Sequence, residues 1–210
     1  PMSPHLRHDA RSFTRINFKD TSCIRTTVRG ELHTCRAATL HLGAILLGAI
    51  FQSIGSRPLV EAPLKGDYSR RDFARSAAMA GLPFREPARF PISTHLAARV
   101  FWWLQAQDPA RAKAWARTAY AAYFAQGLDL SDAAVLRSVC AQAGLEPDAT
   151  EAAWNDPTLK AQLKAENDAA LATGVFGAPY LVIDGEAFWG NDRRDQVEWW
   201  LSGAGPRAMA

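Results

Sequence analysis

The stretch from Thr173 to Arg193 constrains this chain more than any other. A helical pattern stops at Gly174, and a Gly-Ala-Pro179 turn leads into the β-rich run Tyr180 to Ile183. Asp184-Gly185 is a hairpin dipeptide that returns this strand as Ala187 to Trp189. Asn191-Asp192 then opens a final helix. Each piece is common alone, and an ordinary helix, turn and hairpin accounts for it. The specific signal is their order.

Three other stretches fall in a matching order: Ile45-Leu-Leu-Gly-Ala-Ile-Phe51, Gly81-Leu-Pro-Phe84 with Ala88-Arg-Phe-Pro91, and Leu96-Ala-Ala-Arg99. With the Pro179 segment they resemble the kappa-class glutathione transferases and 2-hydroxychromene-2-carboxylate isomerases, a branch of the DsbA-like thioredoxin superfamily. The resemblance runs from about Leu42 to Leu201. It implies an α/β protein with a thioredoxin-like fold, a large inserted all-helical subdomain, and a first βα unit that is anomalous or missing. Residues 42–68 and 174–204 form the thioredoxin-like part, residues 69–173 the helical insertion, and residues 1–41 an anomalous N-terminal segment. In this fold a proline, commonly cis, ends a loop beside the thiol site, and the residue before it offers free backbone groups to a peptide-like ligand.

Size and charge narrow the partners. At 210 residues the chain suits one domain, or one domain carrying a large insertion. A hydrophobic content of 48% is enough for a core. The net charge of +3 comes mostly from the N-terminal segment, where Arg7, Arg11, Arg15, Lys19, Arg25, Arg29 and Arg36 face only Asp9, Asp20 and Glu31. Beyond it the charges nearly cancel, so no extended basic face for nucleic acid is expected. The cysteines, Cys23, Cys35 and Cys140, form no Cys-x-x-Cys pair, which removes the dithiol chemistry of a DsbA-like oxidase. Scattered thiols fit a reducing compartment, and Cys140 sits among apolar helix positions as a core thiol. The apolar run Leu40 to Phe51 is too short to span a bilayer, which needs about 20 residues. A buried strand running into a helix explains it, and a soluble, cytoplasmic protein with no membrane partner is expected.

The first forty-one residues read unlike the rest. They hold His5, His8, His33 and His41, two of the three cysteines, no tryptophan and no sustained apolar period. The resemblance implies that a strand, a loop with a Ser-Pro-aromatic motif and a helix belong here, the serine favouring the glutathione thiolate. Ser3-Pro4-His5 matches only superficially, since no strand signal precedes it and His5 is not a large apolar aromatic. No catalytic residue is assigned. Three origins stay open for the segment: a frame-shifted or mis-started translation, a targeting extension, or a divergent first βα unit.

Helices are expected from Ser69 to Ala80, Thr94 to Gln107, and Pro109 to Gln126 after the Asp108 cap. Further helices are expected from the Ser131-Asp132 cap to Gly144 and from the Asp156-Pro157 start to Thr173. Between Ser69 and Gly174 there is no strand signal. The bulky stripe Phe101-Trp102-Trp103, Trp115, Tyr120 and Phe124 reads as core or dimer interface.

The site follows from the resemblance together with ligand chemistry. Glutathione is an extended peptide with a thiol, two carboxylates and an ammonium group. Ala178, before a cis Pro179, can pair with its cysteinyl unit in strand-like fashion. The helix start at Asn191 and Asp192 can take the γ-glutamyl carboxylate, with the Asp192 carboxylate on the ammonium, although plain N-capping also explains that pair. Lys65, Tyr68, Ser93 and Trp189 are candidates on the substrate side. Ser93 stands where relatives often carry an asparagine. No metal-ligand spacing is visible, and His95 is a single histidine near a helix start. The implied activity is glutathione-dependent cis–trans isomerisation of 2-hydroxychromene-2-carboxylate-like aromatic keto acids. The alternatives are a kappa-type glutathione transferase and a catalytically impaired glutathione- or peptide-binding remnant. The family also suggests a homodimer.

Overall fold

The computed structural model describes residues 22–29, 39–183 and 185–201. A four-stranded sheet comprises β1 (Ser22–Arg29), β2 (Thr39–Leu46), β3 (Tyr180–Ile183) and β4 (Glu186–Trp189), in the order β2-β1-β3-β4. β1 runs antiparallel to β2 and parallel to β3, and β3 closes on β4 in the register Ile183 opposite Glu186. A strand therefore does form inside the segment with no apolar period. The stretch 30–38 is too short for the crossover of a dozen or more residues that a parallel β1–β2 pair would need, so the two strands pair as antiparallel neighbours.

The expected strand-to-helix entry is present: β2 passes directly into α1 (Leu47–Ser53). Its side chains alternate between two cores. Ala44 packs with the helical insertion, flanked by Leu42 and Leu46, while Ile45 points to the opposite cluster with Ile50, Val175 and Tyr180. After a 3₁₀ turn at Leu59–Glu61, the helices α2 (Lys65–Met79), α3 (His95–Gln107), α4 (Pro109–Phe124), α5 (Ala133–Gln142), α6 (Pro147–Asn155) and α7 (Pro157–Ala172) follow without an intervening strand. A 3₁₀ turn at Asn191–Arg193 and α8 (Arg194–Leu201) complete the described chain.

Side-chain caps set the helix starts. The Asp108 carboxylate accepts from the Ala110 N–H, Asp132 from Ala134 and Val135, and Asp156 from Thr158. Each such cap contributes about 1 kcal/mol. The sequence reading missed α6. It begins on Glu146, whose carboxylate takes the Asp148 and Ala149 N–H groups ahead of Pro147. Glutamate is not among the favoured cap residues, so the proline alone had to signal the start. The reading also started α2 too late, because Gly66 looks like a breaker. In the structure Gly66 belongs to the first turn and is pressed against the Val60 carbonyl, where a side chain would collide.

The helices enclose a core containing Phe101, Trp102, Leu104, Trp115, Tyr123, Phe124, Leu136 and Trp154. The aromatic stripe is thus core, with Trp103 and Tyr120 half-buried at its margin. Cys140 is also core, and burial pushes its thiol up to about 11. Two polar side chains bind this body to the sheet. The Trp102 indole Nε1 donates to the Ala44 carbonyl at 2.9 Å, and the Leu46 N–H donates to Oδ1 of buried Asn167 at 2.8 Å. Both satisfy outward-facing backbone groups of β2, an edge strand among the described residues, so the insertion covers that edge.

Candidate functional site

The Pro179 turn is held from both ends. α7 ends at Ala172 with Thr173 as its C-cap, Gly174 takes φ 80°, and the Val175 N–H returns to the Ala170 carbonyl, which plants Val175 in the core. The Ala178-Pro179 peptide is cis, as the proline-ended loop leads one to expect. The Pro179 carbonyl accepts from the Gly190 N–H at 3.1 Å, tying the turn to the exit of β4. Ala178 is 8% exposed, and among the described residues neither its N–H nor its C=O has a hydrogen-bond partner. A buried backbone pair without a partner costs on the order of 1–3 kcal/mol per group, a cost that a ligand's peptide groups can offset.

Two glycines let the surroundings close on this turn. Gly177 lies under the pyrrole ring of Trp189, and a Cβ there would collide with Nε1, Cε2 and Cδ1. Gly190 takes φ 113°, and a Cβ there would strike the Asp192 carboxylate, which folds back over it. Asp192 is exposed and pairs with the Arg193 guanidinium at 3.4 Å. Asn191, Asp192 and Arg193 form a 3₁₀ turn ahead of α8, so the regular helix starts at Arg194, two residues later than Asp192. Ala178, Pro179, Trp189, Asn191 and Asp192 are consequently assembled around one turn.

The other candidates lie on other elements. Lys65 opens α2 on the exposed side, directly after a γ-turn in which its N–H donates to the Pro63 carbonyl at 2.7 Å. That turn holds Leu64 at φ 64° and 96% exposed, a strained and solvated position for a leucine. Tyr68 is exposed and carries the Arg75 guanidinium over its ring at 5.2 Å. The Ser93 hydroxyl lies 2.8 Å from Nδ1 of His95 at the start of α3. Burial, and secondarily the charge of Arg99, hold His95 below its ordinary pKa. Arg99 in turn donates to the Trp154 carbonyl at 2.7 Å. Among the described residues, no hydrogen bond or ion pair links Lys65, Tyr68 or Ser93 to the Pro179 turn.

Phe176 is the residue that the sequence reading passed over. It is 43% exposed, packs edge-on against Trp189 with centroids 4.9 Å apart, and meets buried Tyr180 at 5.5 Å. Its position inside the most informative segment was the available signal, but a lone phenylalanine beside glycines does not reveal which way it points. Ser3, Pro4 and His5 lie outside the described residues. Among the described residues no group of three metal-ligating side chains gathers, and no helix is long and apolar enough to cross a membrane.

Residues 31–201 match the model of the DSBA-like thioredoxin domain family. A 2-hydroxychromene-2-carboxylate isomerase from Sphingobium xenophagum is 33% identical over 130 residues, which is 62% of this chain and 65% of that protein. The chain thus spans just under two thirds of the length of this relative. A solved 2-hydroxychromene-2-carboxylate isomerase superposes with a TM-score of 0.70 at 23% identity, covering 77% of this chain and 79% of the other. A putative protein disulfide isomerase from Nitrosomonas europaea superposes at 0.54 and 14% identity, covering 89% of this chain and all of the other. At these identities the superpositions establish the shared fold.

Proposed function

The chain belongs to the DSBA-like thioredoxin domain family, and from that premise we propose that it is a glutathione-dependent isomerase of 2-hydroxychromene-2-carboxylate-like aromatic keto acids. The observation that carries the reading is the Ala178 backbone beside cis Pro179, unpartnered among the described residues, in a chain similar to a 2-hydroxychromene-2-carboxylate isomerase. An N–H and a C=O facing a ligand from one residue fit the donor and acceptor of a cysteinyl unit, as a strand edge fits an added strand.

Bound glutathione supplies a thiol whose reversible addition to an unsaturated carbon permits rotation about the former double bond. The chain's own groups do the remaining work. Ala178 would pair with the cysteinyl unit of the cofactor and so fix where its thiol lies. The Asp192 carboxylate takes the ammonium of the γ-glutamyl end, and Asn191 offers a neutral amide beside it. The Asp192–Arg193 pair is exposed and therefore weak, so Asp192 can exchange that partner for a ligand cation at little cost.

One observation favours a second reading, a binding protein without turnover. In the family pattern the serine that assists the thiol follows the first strand. Here Ser3 precedes β1, and no serine lies between β1 and β2. Titration of the full chain with glutathione, with Asp192→Ala alongside, tests the cofactor site. Loss of a charge-assisted contact predicts roughly tenfold weaker binding. Absence of saturable binding by folded protein sinks both readings. Binding without conversion of 2-hydroxychromene-2-carboxylate selects the second, and consumption of thiol by a halo-nitroaromatic compound selects a kappa-type transferase instead.

A further inference from the structure

Phe176 takes no part in the contacts assigned to glutathione, yet it is placed beside them and half open to solvent. We propose that Phe176 and Trp189 together form a receptor for one planar aromatic ring of the small-molecule substrate. The inference deepens the isomerase reading by naming the residues that select an aromatic substrate, and it rests on that reading for the reaction that follows binding.

The two rings are braced for such a role. The pyrrole half of Trp189 is seated on Gly177, and 51% of the residue remains exposed. Phe176 is held from the core side by Tyr180, with rings 5.5 Å apart at 85°. Phe176 and Trp189 themselves meet at 4.9 Å and 66°. At this angle they form a corner open to solvent. A third ring entering it can stack offset on one wall and meet the other edge-to-face, the two arrangements that aromatic quadrupoles favour.

Size decides the occupant. A large aromatic side chain buries about 150–250 Å² in full, so two half-exposed ones offer roughly 200 Å². A stable protein interface needs about 800 Å² on each partner. The corner therefore matches a mono- or bicyclic molecule and is too small for a second copy of the chain. Its surroundings are polar, with the Ala178 backbone on one side and Asn191, Asp192 and Arg193 beyond Gly190 on the other. A ring in the corner lies beside whatever pairs with Ala178, so an unsaturated side chain on that ring is within reach of a thiol bound there.

Calorimetric titration of the full chain with chromone-2-carboxylate, a stable planar bicyclic acid, tests the receptor against cyclohexanecarboxylate, which carries the same charge without the π system. Saturable binding of the planar acid is expected, with the saturated acid about tenfold weaker or worse. Phe176→Ala and Trp189→Leu each weaken the planar acid about three- to tenfold, Trp189→Phe restores most of that loss, and Phe176→Ala leaves glutathione affinity within about twofold. Equal affinity for the two acids overturns the proposal, as does planar-acid affinity that ignores both substitutions. So does self-association lost in Trp189→Leu without any ring binding. Ring binding with these effects but no turnover supports the receptor while sinking the isomerase reading alone.

Discussion

The helical insertion and the Pro179 turn are both rich in aromatic residues, and they use them in opposite ways. In α3 and α4 most rings are sealed: Trp115 is 3% exposed, and its indole N–H donates to the Ala97 carbonyl at 3.0 Å while that of Trp102 serves Ala44. Both indole N–H groups are thereby spent on the fold. At the turn, Phe176 and Trp189 pack against each other and are still 43% and 51% exposed. Aromatic content alone says nothing of function. What separates a core ring from a receptor ring is whether its second side is covered.

The largest effect that can break this contrast is expected in the sealed region. Trp115→Ala empties a fully packed site and removes a buried hydrogen bond, so a loss of about 3–5 kcal/mol is expected in urea unfolding. If the loss were under about 1 kcal/mol, the insertion would not be the close-packed body described. Trp102→Phe keeps most of the volume but leaves the Ala44 carbonyl without its donor. It should cost about 1–3 kcal/mol and speed amide exchange along β2. Unchanged exchange there would mean that the edge strand does not depend on the insertion. The smallest stability effect is expected at the receptor. Phe176→Ala should lower stability by about 1 kcal/mol while still weakening planar-acid binding. A core-sized loss would show that Phe176 belongs with the sealed rings. Cys140 gives a chemical check on the same contrast. Burial holds its thiol near 11, so it should stay unlabelled by an alkylating reagent in folded protein at pH 8 and react on unfolding.

Much of this architecture was legible because it is written locally. Asp108-Pro109 and Asp156-Pro157 place a cap and a preset φ side by side, and the helices start there. Tyr180 to Ile183 and the returning strand followed from β-branched and aromatic residues around a two-residue turn. Glu146-Pro147 was missed because a glutamate cap is uncommon, and the Leu64 γ-turn was missed because leucine carries no signal for a positive φ. β1 was missed for a related reason. Ser22 to Arg29 has no clean alternation, and its place between β2 and β3 comes from pairing on both sides.

At the site, the sequence by itself determined the order of the parts: a helix stop at Gly174, a proline turn, a hairpin, and an Asn191-Asp192 start. These depend on backbone preferences of a few neighbouring residues, which a sequence states directly. Only the tertiary structure decided what the turn gathers and what it leaves out. Trp189 comes to rest on Gly177, Asp192 folds over Gly190, and Phe176 turns outward, whereas Lys65, Tyr68 and Ser93 stand on other elements. Those outcomes depend on close approach between segments and on which side of a ring stays uncovered. Both are settled by packing across the chain, after every local preference has been met.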